Sequence, residues 1–461
     1  MTNSTVPLSA LTAMLGAAPP RDRTRWLAHR IITLIGEGRI PTGARLPAER
    51  ALAASTGLSR GTVVAALEVA VERGFLISRQ GSGRVARLPV HSTRPVESLD
   101  ARMTPAAAGT VDLRATVLPP HPGLHGALQR AVDEVGEDPS WGSAPADGLP
   151  ELITAICEYY ERRGLVTHPS QVIVTAGAVS GLHLALRAVT SARDRVATEN
   201  PGYPNTARVI RAAGRRVLPI DITGGHSAAI LSVLRMGGLA AAMLTPDFHN
   251  PSGTFVGEAE RARLLRAAAA NEVSLVIDET LVGMNWREAP VATPLTGLGA
   301  RTVLVGSASK SIWAGLRIGW IRAPEALADR IARVRLGIDL GAPVLEQRVA
   351  AALLPTLHAD GVPAHADRIR ASAESAERTL VSALPHWQWT PPDGGLSLWC
   401  TGLRTPAEQL VRRAADRGIA LRPGALFSPT GTGWPHALRI PLTARPDELQ
   451  FALETLADLD H

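Results

Sequence analysis

The chain is 461 residues long, 45% hydrophobic and 20% charged, as expected of a globular protein large enough for two or three domains. No apolar run is long enough to span a membrane, no secretory leader opens the chain, and Cys157 and Cys400 lack metal-ligand spacing, so a reducing, cytoplasmic setting is expected. The net charge of +6 is uneven: residues 21–90 hold 12 Arg against 5 acidic residues, the footprint either of a polyanion-binding module or of a solvated basic face.

Residues 1–20 read as a tail. A helix is expected from Arg25 to about Glu37, stopped by Gly36, Gly38 and the Pro41-Thr42-Gly43 turn. A second, short helix starts at about Arg50 and ends near Ser55. Gly57 turns the chain, and Ser59 is placed to cap a helix to about Arg73 whose Val63, Leu67 and Ala70 form its buried stripe. Phe75–Ser78 and Arg84–Ala86 then flank Gln80-Gly81-Ser82-Gly83 as a hairpin. Two helices, a glycine turn, a third helix and a hairpin make a winged helix-turn-helix over residues 21–87. Its Ser59, Arg60 and Thr62 stand at the helix end that enters a major groove, and Gly81, Ser82 and Gly83 form a wing tip that a phosphate backbone can approach.

The string LPAERALAASTGLSRGTVVAALEVAVERGFLISRQGSG resembles the GntR family of bacterial regulators. The resemblance implies a double-stranded DNA operator as partner, contacted by Arg50, Arg60 and the wing glycines, with Arg45, Ser59, Thr62 and Ser82 beside them. Val64 departs from it, because many relatives carry a polar or basic residue there. A winged helix used for protein contact is the alternative.

Residues 88–111, rich in Pro, Ser, Thr, Ala and Arg, read as a linker. From 112 to 461 short apolar runs alternate with helical stretches, the pattern of an α/β domain with a mostly parallel sheet. The runs end in loops that carry chemistry: Gly177, Ala178 and Val179 at a helix start, Glu199-Asn200-Pro201-Gly202-Tyr203, His249-Asn250-Pro251, Asp278, and Ser307-Ala308-Ser309-Lys310. Such ends meet in one crevice of an open sheet.

Lys310 is the only lysine beside 47 arginines. An amine can lose its proton and condense with an aldehyde, which a guanidinium cannot do; coding bias toward Arg is the bland explanation. The converging groups match pyridoxal 5'-phosphate (PLP): an amine at Lys310, a carboxylate at Asp278 for the pyridine nitrogen, Tyr203 to stack on the ring and Asn250 to donate to its oxygen. Ser307, Ser309, Arg317 and the turn at Gly177, Ala178 and Val179 suit the phosphate.

SASKSIWAGLRIGW, HNPSG, ENPGYP and the late LRIPL segment resemble fold-type I aminotransferases. That resemblance implies a PLP-binding domain with a mostly parallel central sheet and a smaller C-terminal α/β subdomain, and assigns a substrate or effector carboxylate to Arg439. Two positions often held by tyrosine differ, reading Thr280 after the aspartate and Trp141 near the start of the domain, which weakens the case for efficient transamination.

The two halves together resemble the MocR family of transcription factors. That implies a head-to-tail homodimer, each head lying on its partner's large domain, in which PLP and an amine or amino-acid effector alter DNA binding. A working aminotransferase carrying a DNA-binding domain, and a PLP-holding scaffold for another protein, are the other readings.

Overall fold

The structure is a computed structural model and describes residues 5–37, 39–79, 83–87, 109–137, 145–287, 292–299, 301–357 and 365–461. The head consists of α1 (Leu8–Leu15), α2 (Arg23–Gly36), α3 (Glu49–Thr56) and α4 (Arg60–Glu72), followed by the antiparallel pair β1 (Leu76–Arg79) and β2 (Gly83–Ala86). Apolar residues three and four apart build its core, with Leu27, Ile31 and Leu34 of α2 and Val63, Leu67 and Ala70 of α4 fully buried. Ser59 caps α4 by accepting from the Thr62 amide at 3.1 Å. The expected winged helix-turn-helix is present, with one correction. Part of segment 1–20, expected as a tail, is α1, whose Leu8, Leu11 and Leu15 recur at helical spacing and pack into the same core. Gly81, Ser82, Trp141 and residues 88–108 of the expected linker lie outside the described residues.

The larger domain opens with β3 (Val111–Asp112), α5 (Leu124–Glu137) and α6 (Pro150–Arg162). Strands and helices then alternate through β4 (Val172–Thr175), α7 (Ala178–Val189), β5 (Arg195–Asn200), α8 (Pro204–Ala212), β6 (Arg216–Asp221) and α9 (His226–Leu234). The series continues with β7 (Ala241–Leu244), α10 (Glu258–Ala270), β8 (Ser274–Asp278), β9 (Thr302–Ser307) and β10 (Gly319–Arg322).

These seven strands form one sheet in the order β4-β10-β9-β8-β7-β5-β6, in which β10 alone is antiparallel to its neighbours. Helices cover both faces, so β7 and β8 are buried at every position and read in the sequence as apolar runs, not alternating ones. The parallel strands direct their carboxyl ends to one edge, and the chemistry-bearing loops with them.

The remainder is α11 (Glu325–Arg335), α12 (Val344–Leu353), α13 (Ala366–Ala383), β11 (Ser397–Thr401), α14 (Ala407–Ala415), β12 (Ile419–Ala420), β13 (Ala437–Pro441) and α15 (Pro446–Leu459). From α13 onward it forms the smaller subdomain, where β11 pairs antiparallel with β13 and β12 runs parallel to β3. Leu380, Leu398, Ile440 and Leu453 are fully buried in its core. Among the described residues, no helix is long and apolar enough to cross a membrane.

Candidate functional site

A cavity of about 380 Å³ opens at the carboxyl edge of the sheet, walled on its far side by β11 and β13. Lys310, Asp278, Asn250, Tyr203, Ala178, Val179, Ser307, Ser309, Arg317 and Arg439 all line it. Lys310 follows β9, and its Nζ donates to the Thr116 carbonyl at 2.7 Å. Burial, helped by Arg439 and Arg317 and opposed by Asp278, lowers its amine to about 8. Asp278 ends β8, its Oδ1 accepting from the Thr280 amide at 2.9 Å while burial pushes its carboxyl up. The Asn250 Oδ1 is buried without a hydrogen-bond partner, and such an orphan is a costly arrangement in the absence of a polar ligand. Tyr203 is held by Asn205, whose Nδ2 donates to the phenol oxygen at 2.7 Å.

Gly177 caps α7 at φ +87°, and a Cβ there would lie 2.8 Å from Arg317 Nη2. Only glycine fits both the backbone and the close guanidinium. Gly319 of β10 is equally tight, since a Cβ on it would come within 2.7 Å of the Ala178 nitrogen. The first amides of α7 have no intrahelical partner, so this turn, with Arg317 and Ser307, presents donors and positive charge to an anion. A phosphorylated pyridine aldehyde needs an anion cradle, a buried carboxyl, a neutralisable amine and amide groups at its rim. The donor set supplies each.

On the opposite wall Arg439, 6% exposed, donates through Nη2 to the Arg114 carbonyl at 2.7 Å and lies 5.0 Å from the centre of the Phe427 ring. Burial and the neighbouring Arg422 lower its guanidinium to about 10. Arg422, Thr116, Asn205 and Phe427 also line the cavity and were not foreseen, because none belongs to a chemistry-bearing string. Thr280 also lines it. The adjacent Glu279 turns away, its carboxylate accepting from Tyr160 Oη at 2.7 Å and Arg163 Nη2 at 2.9 Å beneath the sheet.

From Phe427 a run of packed groups leads to the head. The Phe427 ring lies 5.5 Å from Trp399, which in turn lies 5.8 Å from Trp434. Trp434 donates from Nε1 to Asn200 Oδ1 at 2.7 Å and from its backbone nitrogen to Glu37 Oε1 at 3.1 Å. Asn200 Nδ2 and Thr430 Oγ1 donate to the carbonyl of Gly36, the last residue of α2. A Cβ on Gly36 would lie 2.6 Å from Thr432 Oγ1, so the small residue permits this close seat. Glu37 is buried, and that raises its carboxyl pKa despite the bond from Trp434. These contacts run within one chain.

In the head Arg50 and Arg60 are exposed, with Arg60 4.0 Å from Glu49. Ser59 is exposed at the start of α4, Thr62 is half-buried beside it, and Gly83 opens the wing's return strand at φ +73°. Arg45 is less free, as its backbone bridges Thr5 and Val85 and its Nε is buried. Arg84, outside the expected set, ties the wing to Glu49 at 3.7 Å and to Glu68.

A winged helix-turn-helix joined to a lysine-bearing cavity in a fold-type I domain defines a class: DNA-binding regulators with an aminotransferase-like domain. Residues 126–456 match the aminotransferase class I and II family, to which the chain belongs, and residues 24–85 match the gntR family of bacterial regulatory proteins. The chain is similar to the HTH-type pyridoxine biosynthesis transcriptional regulator PdxR of Corynebacterium glutamicum, at 29% identity over 89% of this chain and 90% of that protein. It is also similar to the HTH-type transcriptional regulator TauR of Rhodobacter capsulatus, at 28% identity over 87% and 89%. Its fold is shared by the α-aminoadipate aminotransferase LysN of Thermus thermophilus, solved with N-(5'-phosphopyridoxyl)-L-leucine, with a TM-score of 0.67 at 23% identity over 76% of this chain and 92% of that one.

Proposed function

We propose that this chain is a cytoplasmic, PLP-dependent transcriptional regulator whose larger domain registers PLP together with an amine or amino acid and passes that state to the DNA-binding head. The observation that carries the reading is the unbroken run of contacts from Arg439 through Phe427, Trp399 and Trp434 to Gly36 and Glu37. When bound, PLP supplies an aldehyde for Lys310 and an electron-withdrawing ring. Asp278 would face the ring nitrogen, Asn250 and Tyr203 would fix the ring, and Arg317, Ser307, Ser309 and the turn at Gly177, Ala178 and Val179 would hold the phosphate. Arg439, with Arg422 beside it, would take an effector carboxylate. Arg50, Arg60, Thr62 and Ser59 would meet the operator, with the wing tip at Gly81, Ser82 and Gly83 on the backbone and Arg45 behind them. An effector that binds one seating of the head better than another shifts the balance between them, and the coupling is reciprocal.

The chain would act as a head-to-tail homodimer, for which exposed Leu336, Ile338 and Leu340 offer an apolar face. A gel shift on the chain's own upstream region tests the whole reading. Binding that falls steeply with salt and responds to PLP, or to PLP plus an amine, is the expected result; absent or salt-insensitive binding overturns it. An active aminotransferase is the second reading, favoured by the complete set of Lys310, Asp278 and Arg439 around one cavity. Rapid multiple turnover with an amino acid and a keto acid would make it the better one.

A further inference from the structure

We propose that Glu199, His226 and His249 form a binding site for a late first-row divalent metal ion, with Zn²⁺ the ion they suit best. Glu199 lies near the carboxyl end of β5, His226 is the first residue of α9, and His249 sits in the loop after β7. One ligand atom from each falls within 4.8 Å of the others, and Glu199 Oε1 is 3.4 Å from His226 Nε2. Zn²⁺ holds such ligands tetrahedrally at about 2.0–2.1 Å, which sets neighbouring donor atoms roughly 3.3–3.5 Å apart. The shorter separation already meets that spacing, and the set needs only a small inward movement of one ring.

Two further observations point inward to a ligand. His249 is 1% exposed, and its Nε2 is buried with no hydrogen-bond partner. An orphaned ring nitrogen costs stability unless something occupies its lone pair. The outer nitrogens, by contrast, are both held: His249 Nδ1 lies 2.8 Å from Ser252 Oγ, His226 Nδ1 lies 2.9 Å from Thr254 Oγ1, and the two hydroxyls are 2.9 Å apart. The Thr245 amide donates to Glu199 Oε1 at 2.7 Å. Imidazoles braced at one nitrogen while presenting the other, beside a braced carboxylate, form the surroundings in which metal ligands are oriented. A plain Glu199–His226 ion pair explains one contact and leaves the His249 nitrogen orphaned.

Two imidazoles and one carboxylate select Zn²⁺ and its neighbours over Mg²⁺ or Ca²⁺, which prefer all-oxygen shells. None of the three residues lines the cavity at Lys310, so the role assigned to the ion is structural. It would tie β5, α9 and the β7 loop together, and with them Tyr203 and Asn250, which follow Glu199 and His249 in the chain.

The experiment uses the full-length cofactor-loaded protein and a cofactor-free Lys310→Ala variant, with Zn²⁺ and Co²⁺ as probes. In both proteins we expect one ion per chain, a visible Co²⁺ spectrum of tetrahedral intensity and a Zn²⁺-dependent rise in melting temperature. His226→Gln, the least buried ligand change, should abolish all three, and Thr254→Val should weaken Zn²⁺ binding about 10- to 100-fold. Should His249→Gln fail to fold, His226→Gln still decides. Absence of a Co²⁺ spectrum and of a melting shift in the Lys310→Ala protein overturns the site, as does full stoichiometry in His226→Gln. An ion held by the cofactor itself would disappear in Lys310→Ala, so this outcome too counts against the proposal. Operator binding is read separately, which keeps failure of the metal site distinct from failure of the regulator reading.

Discussion

Lys310 sits half-buried in the cavity, where a cation is poorly tolerated: desolvation chiefly, with Arg439 and Arg317 nearby and Asp278 opposing, brings its amine to about 8. Protonated amines cannot attack an aldehyde, so covalent capture of PLP should accelerate as pH rises toward 8 and level off above it. Stopped-flow absorbance across that range checks the direction. Borohydride reduction followed by peptide mass spectrometry should place the cofactor on Lys310 and find none in Lys310→Ala, since no other lysine exists. Persistent labelling of the variant would end the assignment. Arg439→Ala should weaken binding of an amino acid about 10- to 100-fold, the loss expected for a charge-assisted pair, yet leave amines lacking a carboxylate unaffected. Calorimetric titration of matched pairs measures it. Lys310 was legible because its string is local, whereas Arg422 and Thr116 reach the cavity from distant segments and carry no local signal.

Helix α2 ends in a residue chosen for its neighbour and not for the helix. Alanine at Gly36 would favour the helix itself by about 0.5–1 kcal/mol, but its Cβ would meet Thr432 Oγ1 at 2.6 Å and the Thr432 carbonyl at 3.1 Å. Gly36→Ala should therefore keep the head folded and unseat it, giving separate melting transitions in calorimetry where the parent is expected to show a coupled one. Glu37 adds a proton linkage. Its carboxyl is raised chiefly by burial when the head is seated, so the seated state binds the proton more readily than the free one. Seating should strengthen as pH falls through the raised value and weaken as it rises above it, and Glu37→Gln should flatten this dependence in the same measurement. The α2 boundaries were readable from the sequence to within two residues at either end, yet its partner was not, since Trp434 is 397 positions away from Glu37. Helix α1 was missed because a short amphipathic stretch gains its stability from the core it covers and little from its own propensity.

The whole molecule separates charge from chemistry. The head holds the excess of arginine, while the remainder is near neutral and holds the lysine cavity. Arg60→Ala should lower operator affinity and flatten its salt dependence without changing cofactor capture, which parallel gel shifts and absorbance titrations would show. Trp434→Ala should do the reverse of what a binding-site change does, leaving PLP capture and DNA binding each in place while reducing the effect of one on the other.

Periodicity, punctuation and short strings along the chain were enough to establish a winged helix-turn-helix and a mostly parallel α/β domain, and to single out Lys310, which lines the cavity. Each depends on residues close in sequence, where spacing maps directly onto one face or one loop. Tertiary structure alone decided the second guanidinium at Arg422, the seating of Gly36 and Glu37 on Trp434, and the meeting of Glu199, His226 and His249. Those arise where separate elements close on one another, and burial then gives a side chain a charge environment and partners that its sequence neighbours do not encode.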